Sequence, residues 1–217
     1  VSMTLLDSLV GIVGKENVSD KEMDLICYSS DVAPLPDTII STYGMKMPSL
    51  VVRPRDPDQI SAILKLANEK SVPVTPRAGA SSGMGAGLPI DGGIVLDMTS
   101  MDSILLIDEE RMRVTAQAGV TFQKLLQELE KSKVKLGTCP TSAPSSTVGG
   151  YISNGGCAGI GAPKYGPIGS QILELNVVLP NGEILSVDTP YSSLFVGAEG
   201  TLGVITQVVL RTRPIPE

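Results

Sequence analysis

Near residue 100 the chain changes from a strand–helix–strand rhythm to paired strands, and this switch limits the possible folds more than any other feature. Before it, Leu50-Val51-Val52-Arg53 is a short strand, and Asp56-Pro57-Asp58-Gln59 opens a helix. Asp56 suits the N-cap, Pro57 the first helical position, and Gln59 can close a capping box. Ile60, Ile63, Leu64 and Ala67 follow at helical spacing, which buries one face. Val72–Thr75 and Ile94–Asp97 are further strands. After residue 100, Ile104–Asp108 and Met112–Ala116 pair around Glu109-Glu110-Arg111. A helix begins at Thr121 with Phe122, Leu125, Leu126 and Leu129 inward, and Pro180-Asn181-Gly182 joins Ile172–Leu179 to Glu183–Val187 as a hairpin. Val204–Arg211 is the last strand. Thr4–Val13 is a helix ended by Gly14, and residues 30–48, with Pro34, Pro36 and Pro48, read as an irregular connection. The expected fold is α+β and two-lobed. Residues 1–100 form a small α/β lobe, and residues 101–217 a larger lobe with a mainly antiparallel sheet and flanking helices.

Composition then removes whole classes of function. The 217 residues are 42% hydrophobic and 18% charged, which is globular rather than disordered. No run approaches the roughly 18 apolar residues of a membrane span, and the N-terminus lacks a basic segment followed by an apolar block, so the chain reads as soluble and cytoplasmic. A net charge of -6, with no Trp, argues against a nucleic-acid surface. Cys27, Cys139 and Cys157 form neither a CxxC pair nor a metal-ligand spacing, so they read as buried or incidental thiols, and no metal site is expected. The sequence contains no histidine, which excludes imidazole bases, Ser-His and Cys-His pairs and His-containing zinc sites. The catalytic residues stay unassigned, and any chemistry must come from a cofactor or from another part of the protein.

Two small-residue loops, one in each lobe, could hold such a cofactor. The first runs through Pro76-Arg77-Ala78-Gly79-Ala80-Ser81-Ser82-Gly83-Met84-Gly85-Ala86-Gly87; its backbone N–H groups and serine hydroxyls suit a phosphate or pyrophosphate, and the alternative is a flexible surface loop. It matches neither GxGxxG nor GxxxxGK[ST]. The second runs from Pro140 to Gly161 with two Gly-Gly pairs, Gly149-Gly150 and Gly155-Gly156. Ser145, Ser146, Thr147, Ser153 and Asn154 supply neutral donors, which suit the carbonyls and nitrogens of a heterocycle better than a metal; a tightly packed segment without ligand is the alternative.

The order R-x-G-A-S-S-G, P-x-S-x-P-S-S-T-V-G-G, K-Y-G, V-L-P-N-G-E and L-F-V-G-A-E-G-T-L-G-V-I-T resembles the FAD-binding domain of the vanillyl-alcohol oxidase and p-cresol methylhydroxylase superfamily. Within it the chain is most similar to the D-lactate dehydrogenase and glycolate oxidase FAD-subunit branch, from about Leu50 to Glu217. The resemblance implies that FAD is the cofactor and that the Arg77–Ser82 loop, preceded by Pro76, wraps its pyrophosphate. It places Pro140, Ser146, Thr147, Gly149 and Gly150 at the flavin and diphosphate. Asn154, Gly155, Gly156, Gly159 and Gly161 would line the isoalloxazine and ribityl chain, and Ile205, after Gly203, would meet the adenine end. Lys164-Tyr165-Gly166 could reach the cofactor or a substrate edge, or be plain surface.

The chain departs from the family pattern at Ala78 and Ala86, where glycine is usual; a positive φ there would strain alanine, unless Gly79, Gly83 and Gly85 absorb the turn. Arg77 could neutralise pyrophosphate or hold the loop through a salt bridge, and Glu199 reads as an organiser of its loop rather than a base. Covalent attachment through histidine is impossible, and Cys139-Pro140-Thr141 resembles a cysteine attachment only locally, so FAD is expected to bind without a covalent bond.

The resemblance further implies oxidation of a small D-2-hydroxy acid, lactate or glycolate in type, with electrons passing to a quinone, cytochrome or iron–sulfur partner. A substrate-binding cap domain, expected beyond Glu217, would complete the catalyst. The alternatives are a flavin-binding or electron-transfer module with no substrate of its own, and a reductase fed by NADPH.

Overall fold

The computed structural model describes residues 4–33, 35–43, 46–156 and 159–215. Cys157, Pro34 and the terminal residues 216–217 lie outside the described residues, and with them the reading of the Cys157 thiol. The first sheet has the order β1-β2-β4-β3, with β1 (Val18–Ser19), β2 (Leu50–Val52), β3 (Val74–Arg77) and β4 (Ile94–Asp97). β2 and β3 both run parallel to β4, and β1 is antiparallel to β2. β4 is buried at all four residues, which is why Ile94-Val95-Leu96 reads as an apolar run rather than an alternating pattern, with the buried Asp97 after it.

Three helices belong to the α1–α4 series that precedes the crossover, and the fourth makes the crossover itself. α1 (Leu5–Val13) has a complete capping box between Thr4 and Asp7, and Gly14 ends it at φ 87. α2 (Glu22–Tyr28) and α3 (Asp37–Tyr43) follow. α4 (Pro57–Lys70) links β2 to β3; Asp56 accepts the Gln59 N–H at 2.8 Å, and Ile60, Ile63, Leu64 and Ala67 are buried.

The second sheet is built on β10 (Val204–Pro214), in the order β5-β6-β10-β8-β9. Its other strands are β5 (Ile104–Asp108), β6 (Arg113–Gln117), β8 (Ile172–Val178) and β9 (Ile184–Asp188), all antiparallel, while β7 (Val134–Leu136) pairs the far end of β10. α5 (Phe122–Lys131) packs on this sheet through Phe122, Leu125 and Leu129, each fully buried, at about 1.5–3 kcal/mol per side chain. α6 (Val148–Ser153) and α7 (Ala162–Tyr165) are short. The two sheets meet where α4 abuts the β8–β9 hairpin: Ser61 Oγ donates to the Gly182 carbonyl at 2.5 Å and Asn68 Nδ2 to that of Pro180 at 2.6 Å.

The structure corrects several sequence expectations. Residues 30–48 are not all irregular, because α3 lies within them; α2 buries no side chain, so it writes no apolar stripe by which a helix is recognised. α6 lies inside the expected second loop, since two glycines lower helix propensity and hide it. β3 is displaced two residues toward its C-terminal end, which puts Pro76 and Arg77 on the strand rather than in the loop. Among the described residues no helix is long and apolar enough to cross a membrane.

Candidate functional site

The first loop leaves β3 at the carboxyl end of the parallel strands, where ligands of such sheets bind. Its conformation is set by close approach. A Cβ on Gly79 would lie 2.0 Å from the Ser145 carbonyl oxygen, so only glycine lets the two loops touch there. Ala80 is left-handed at φ 45 and Gly85 at φ 76, whereas Ala78 and Ala86 are not; the strain expected at those two alanines falls on Ala80 instead. The main-chain N–H groups of Gly79, Ala80, Ser81 and Ser82 meet no acceptor among the described residues.

Arg77 stands at the root of this loop. Its Nη1 donates to the Gly87 carbonyl at 3.3 Å and the Tyr28 carbonyl at 3.5 Å, and its guanidinium lies 5.3 Å from the Tyr28 ring centre. Burial pulls its pKa below the usual arginine value, yet a guanidinium remains charged. No ion pair at Arg77 occurs among the described residues, so of the two alternatives the salt bridge is not seen, and Arg77 holds the loop through carbonyls. Tyr28 is fixed in turn by Asp97, which accepts its hydroxyl and the Arg53 Nε at 3.1 Å.

The second loop is stitched to the lobe beneath it. The Phe122 and Gln123 N–H groups, free at the start of α5, donate to the carbonyls of Ser146 and Ala143, both at 2.9 Å. Val148 N–H and Gly149 N–H donate to Val120 and Ala118 at 2.8 Å, and Thr147 Oγ1 caps α6 by accepting from Gly150. These amides are spent inside the protein. Gly149 instead gives proximity, since a Cβ there would lie 2.5 Å from that of Ala118. What this loop offers a ligand is therefore hydroxyl and amide side chains.

Two of those side chains cross to the first loop: Ser81 Oγ and Ser146 Oγ are 3.0 Å apart, and Asn154 Nδ2 donates to Ser82 Oγ at 2.9 Å. A third segment closes the ring. Glu199, left-handed at φ 51, donates its main-chain N–H to the Ser153 carbonyl at 2.8 Å, so its backbone organises this loop while its exposed carboxylate makes no hydrogen bond among the described residues. Gly200 approaches Pro76, where a Cβ would lie 3.1 Å from the proline ring.

Together the three segments enclose a cleft of about 320 Å³. Pro76 through Ser82 line it, as do Ser146, Thr147, Gly149, Gly150, Asn154, Gly156, Glu199, Gly203 and Ile205, all of them expected. The structure places the other expected residues off its lining. Gly85 turns the loop tip against Leu88, Pro140 is buried, and Gly155 faces Gly197. Gly159 and Gly161 pack on the chain after β7, where Cβ atoms would lie 2.4 Å from Thr138 Oγ1 and 2.2 Å from the Gly137 carbonyl. Tyr165 carries the Arg213 guanidinium 4.6 Å from its ring centre. Cys139 also lies off the lining, and burial raises its thiol pKa, which disfavours the nucleophilic thiolate.

Sequence reasoning missed Asp31, Met98, Ala118, Ser142 and Tyr151 in the wall, and Ala86, Gly87, Gly200 and Val204 beside expected residues, while Ser153, read as a neutral donor, does line it. Ser142 could have been found by the same signal, a hydroxyl in the second loop. Tyr151, edge-on to Phe122 at 5.2 Å, lies within the second loop but is not one of its small donors, and nothing near Asp31 marks it. Free amides and a guanidinium on one side, with neutral donors and an apolar wall on the other, suit a ligand that is anionic in one part and a neutral ring system in another.

A family model described as an FAD binding domain matches residues 48–188. The chain is 33% identical over 228 aligned positions to "Glycolate oxidase subunit GlcD" of Bacillus subtilis, covering 100% of this chain and 46% of that protein. It is 33% identical over 187 positions to a D-lactate dehydrogenase of Anaerostipes hadrus, covering 82% of this chain and 39% of that protein. Among solved structures, an alkyldihydroxyacetonephosphate synthase superposes with a TM-score of 0.81 at 29% identity, over 94% of this chain and 42% of that one. A p-cresol methylhydroxylase with substrate bound superposes at 0.76 with 20% identity, over 97% and 43%, a likeness of fold alone. The chain thus spans less than half the length of each of these relatives.

Proposed function

The chain belongs to the FAD binding domain family, and from that premise we propose that it is the flavin-holding domain or subunit of an oxidoreductase that oxidises a small D-2-hydroxy acid of the lactate or glycolate type. FAD is its cofactor. The residues present fit that molecule: the free amides at 79–82 and the half-buried Arg77 suit the diphosphate, and Ser146, Thr147, Ser153 and Asn154 suit ring carbonyls and nitrogens. The observation that carries the reading is that both donor sets face one cleft. Bound FAD supplies the two-electron acceptor that turns a 2-hydroxy acid into a 2-oxo acid.

The chain's own residues bind and orient. Arg77 and the loop amides hold the anionic middle of the cofactor, Tyr151 and Ile205 give apolar walls that exclude water, and the serine–asparagine links hold the two loops at fixed separation. The substrate class rests on the similarity to the glycolate oxidase subunit and the D-lactate dehydrogenase. The electron acceptor proposed is a quinone, cytochrome or iron–sulfur partner. A second reading, a flavin or electron-transfer module without its own substrate, is favoured by one observation: the sequence has no histidine, and the carboxylates lining the cleft are Asp31 and Glu199.

One titration separates the two. Purified protein carrying this chain should show a visible flavin spectrum that bleaches on anaerobic addition of D-lactate or glycolate but not L-lactate. A flavin spectrum unmoved by either acid would favour the module, and no bound flavin would overturn both readings.

A further inference from the structure

Asp31 lies between α2 and α3 and lines the cleft beside the first loop. Its Oδ1 accepts the Ala33 N–H at 2.7 Å, a local turn that fixes the carboxylate. Its Oδ2 is sealed from solvent and meets no donor among the described residues. Such an oxygen is costly to leave unmade unless something else supplies the hydrogen. The neighbouring Arg77 feels the charge of Asp31 but spends its Nη1 hydrogens on the Tyr28 and Gly87 carbonyls.

The missing donor can be described from this arrangement. It is not a phosphate, which a carboxylate repels. It is not a metal ion, since no group of three or more candidate ligands is present among the described residues. The cleft therefore poses two complementary needs close together, N–H groups without acceptors at 79–82 and a carboxylate oxygen without a donor at Asp31. In FAD the groups flanking the diphosphate on either side are sugar hydroxyls, while the adenine amine and the flavin imide lie at the two ends. We infer that Asp31 is a binding residue for the cofactor, its Oδ2 accepting a hydrogen bond from a sugar hydroxyl next to the diphosphate, on the ribose or the ribityl chain. The inference rests on the FAD reading above and adds a contact outside both glycine-rich loops.

Calorimetric titration tests it, with FAD, ADP and FMN as probes on the wild-type protein and on Asp31→Asn, which keeps an acceptor for Ala33 but puts an amide NH2 where the free oxygen was. The expected result is a loss of about tenfold or more in FAD affinity at an unchanged unfolding midpoint, as for a hydrogen bond to a charged group. The loss should recur with only one of the two fragments: with ADP if the hydroxyl is on the ribose, with FMN if it is on the ribityl chain. Unchanged FAD affinity in the variant would overturn the inference, as would an equal loss with both fragments, which a displaced loop would cause. Asp31→Ser, whose hydroxyl can also accept from Ala33, replaces the variant if that fails to fold. A wild-type protein that does not bind FAD refutes the FAD reading itself, an outcome distinct from these.

Discussion

A methyl group added at Gly79 would sit 2.0 Å from the Ser145 carbonyl, whereas one added at Gly83 meets nothing within 4 Å. Gly79→Ala should therefore force the two loops apart, costing about 1–3 kcal/mol by the usual price of overpacking and lowering FAD affinity with it. Gly83→Ala should stay within about 0.5 kcal/mol of the parent. Thermal unfolding with FAD titration checks both, and equal effects would remove the contact from the account. The sequence shows that this loop is made of small residues; it does not show which of them lacks room. Ala80 makes the same point, since its left-handed φ of 45 comes from the path between Gly79 and Ser146, not from its own preference.

Elements differ in how openly the sequence declares them. α4 was legible from cap to core face because Asp56, Pro57 and Gln59 write its start and four apolar residues write its buried stripe. Asp56→Ala should cost about 1 kcal/mol in urea unfolding by orphaning the Gln59 N–H. α2, α3 and α6 were missed for different reasons: α2 buries no side chain, α3 lies among the prolines of residues 30–48, and α6 is held by Ala118 and the Thr147 cap against the preference of its glycines. The β5–β6 turn adds a pH dependence. Asp108 accepts the Arg111 N–H at 2.9 Å and pairs with the Arg111 and Arg113 side chains, and these hold its carboxyl below the usual range. A depressed pKa stabilises the fold above the unfolded carboxylate pKa of about 3.9, and the benefit is lost as pH falls through the lower folded value. Asp108→Ala should thus lower the urea midpoint at pH 7, with the gap to wild type narrowing below about pH 4; a gap independent of pH would mean that the charge does not matter.

For the whole molecule, the cleft draws its wall from both sheets and is bridged by Ser81–Ser146 and Ser82–Asn154. A ligand there should stabilise both parts at once. FAD at about 100 times its dissociation constant should add about 2.7 kcal/mol and shift a single unfolding transition, with less gained in Asn154→Ala. Two transitions in calorimetry, only one of them moved by FAD, would contradict a shared site. Similar logic divides what could be known in advance. The α+β class and FAD as the cofactor were readable in the sequence, because periodicity, caps, turn residues and ordered motifs are local signals. The tertiary structure alone decided which glycines face the cleft and which, like Gly159 and Gly161, merely pack against the segment after β7. It also decided that Arg77 binds carbonyls and that Asp31, far off in sequence, stands in the wall with a carboxylate oxygen unpaired. Those are contacts between distant segments, fixed by how two sheets pack, and no local pattern encodes them.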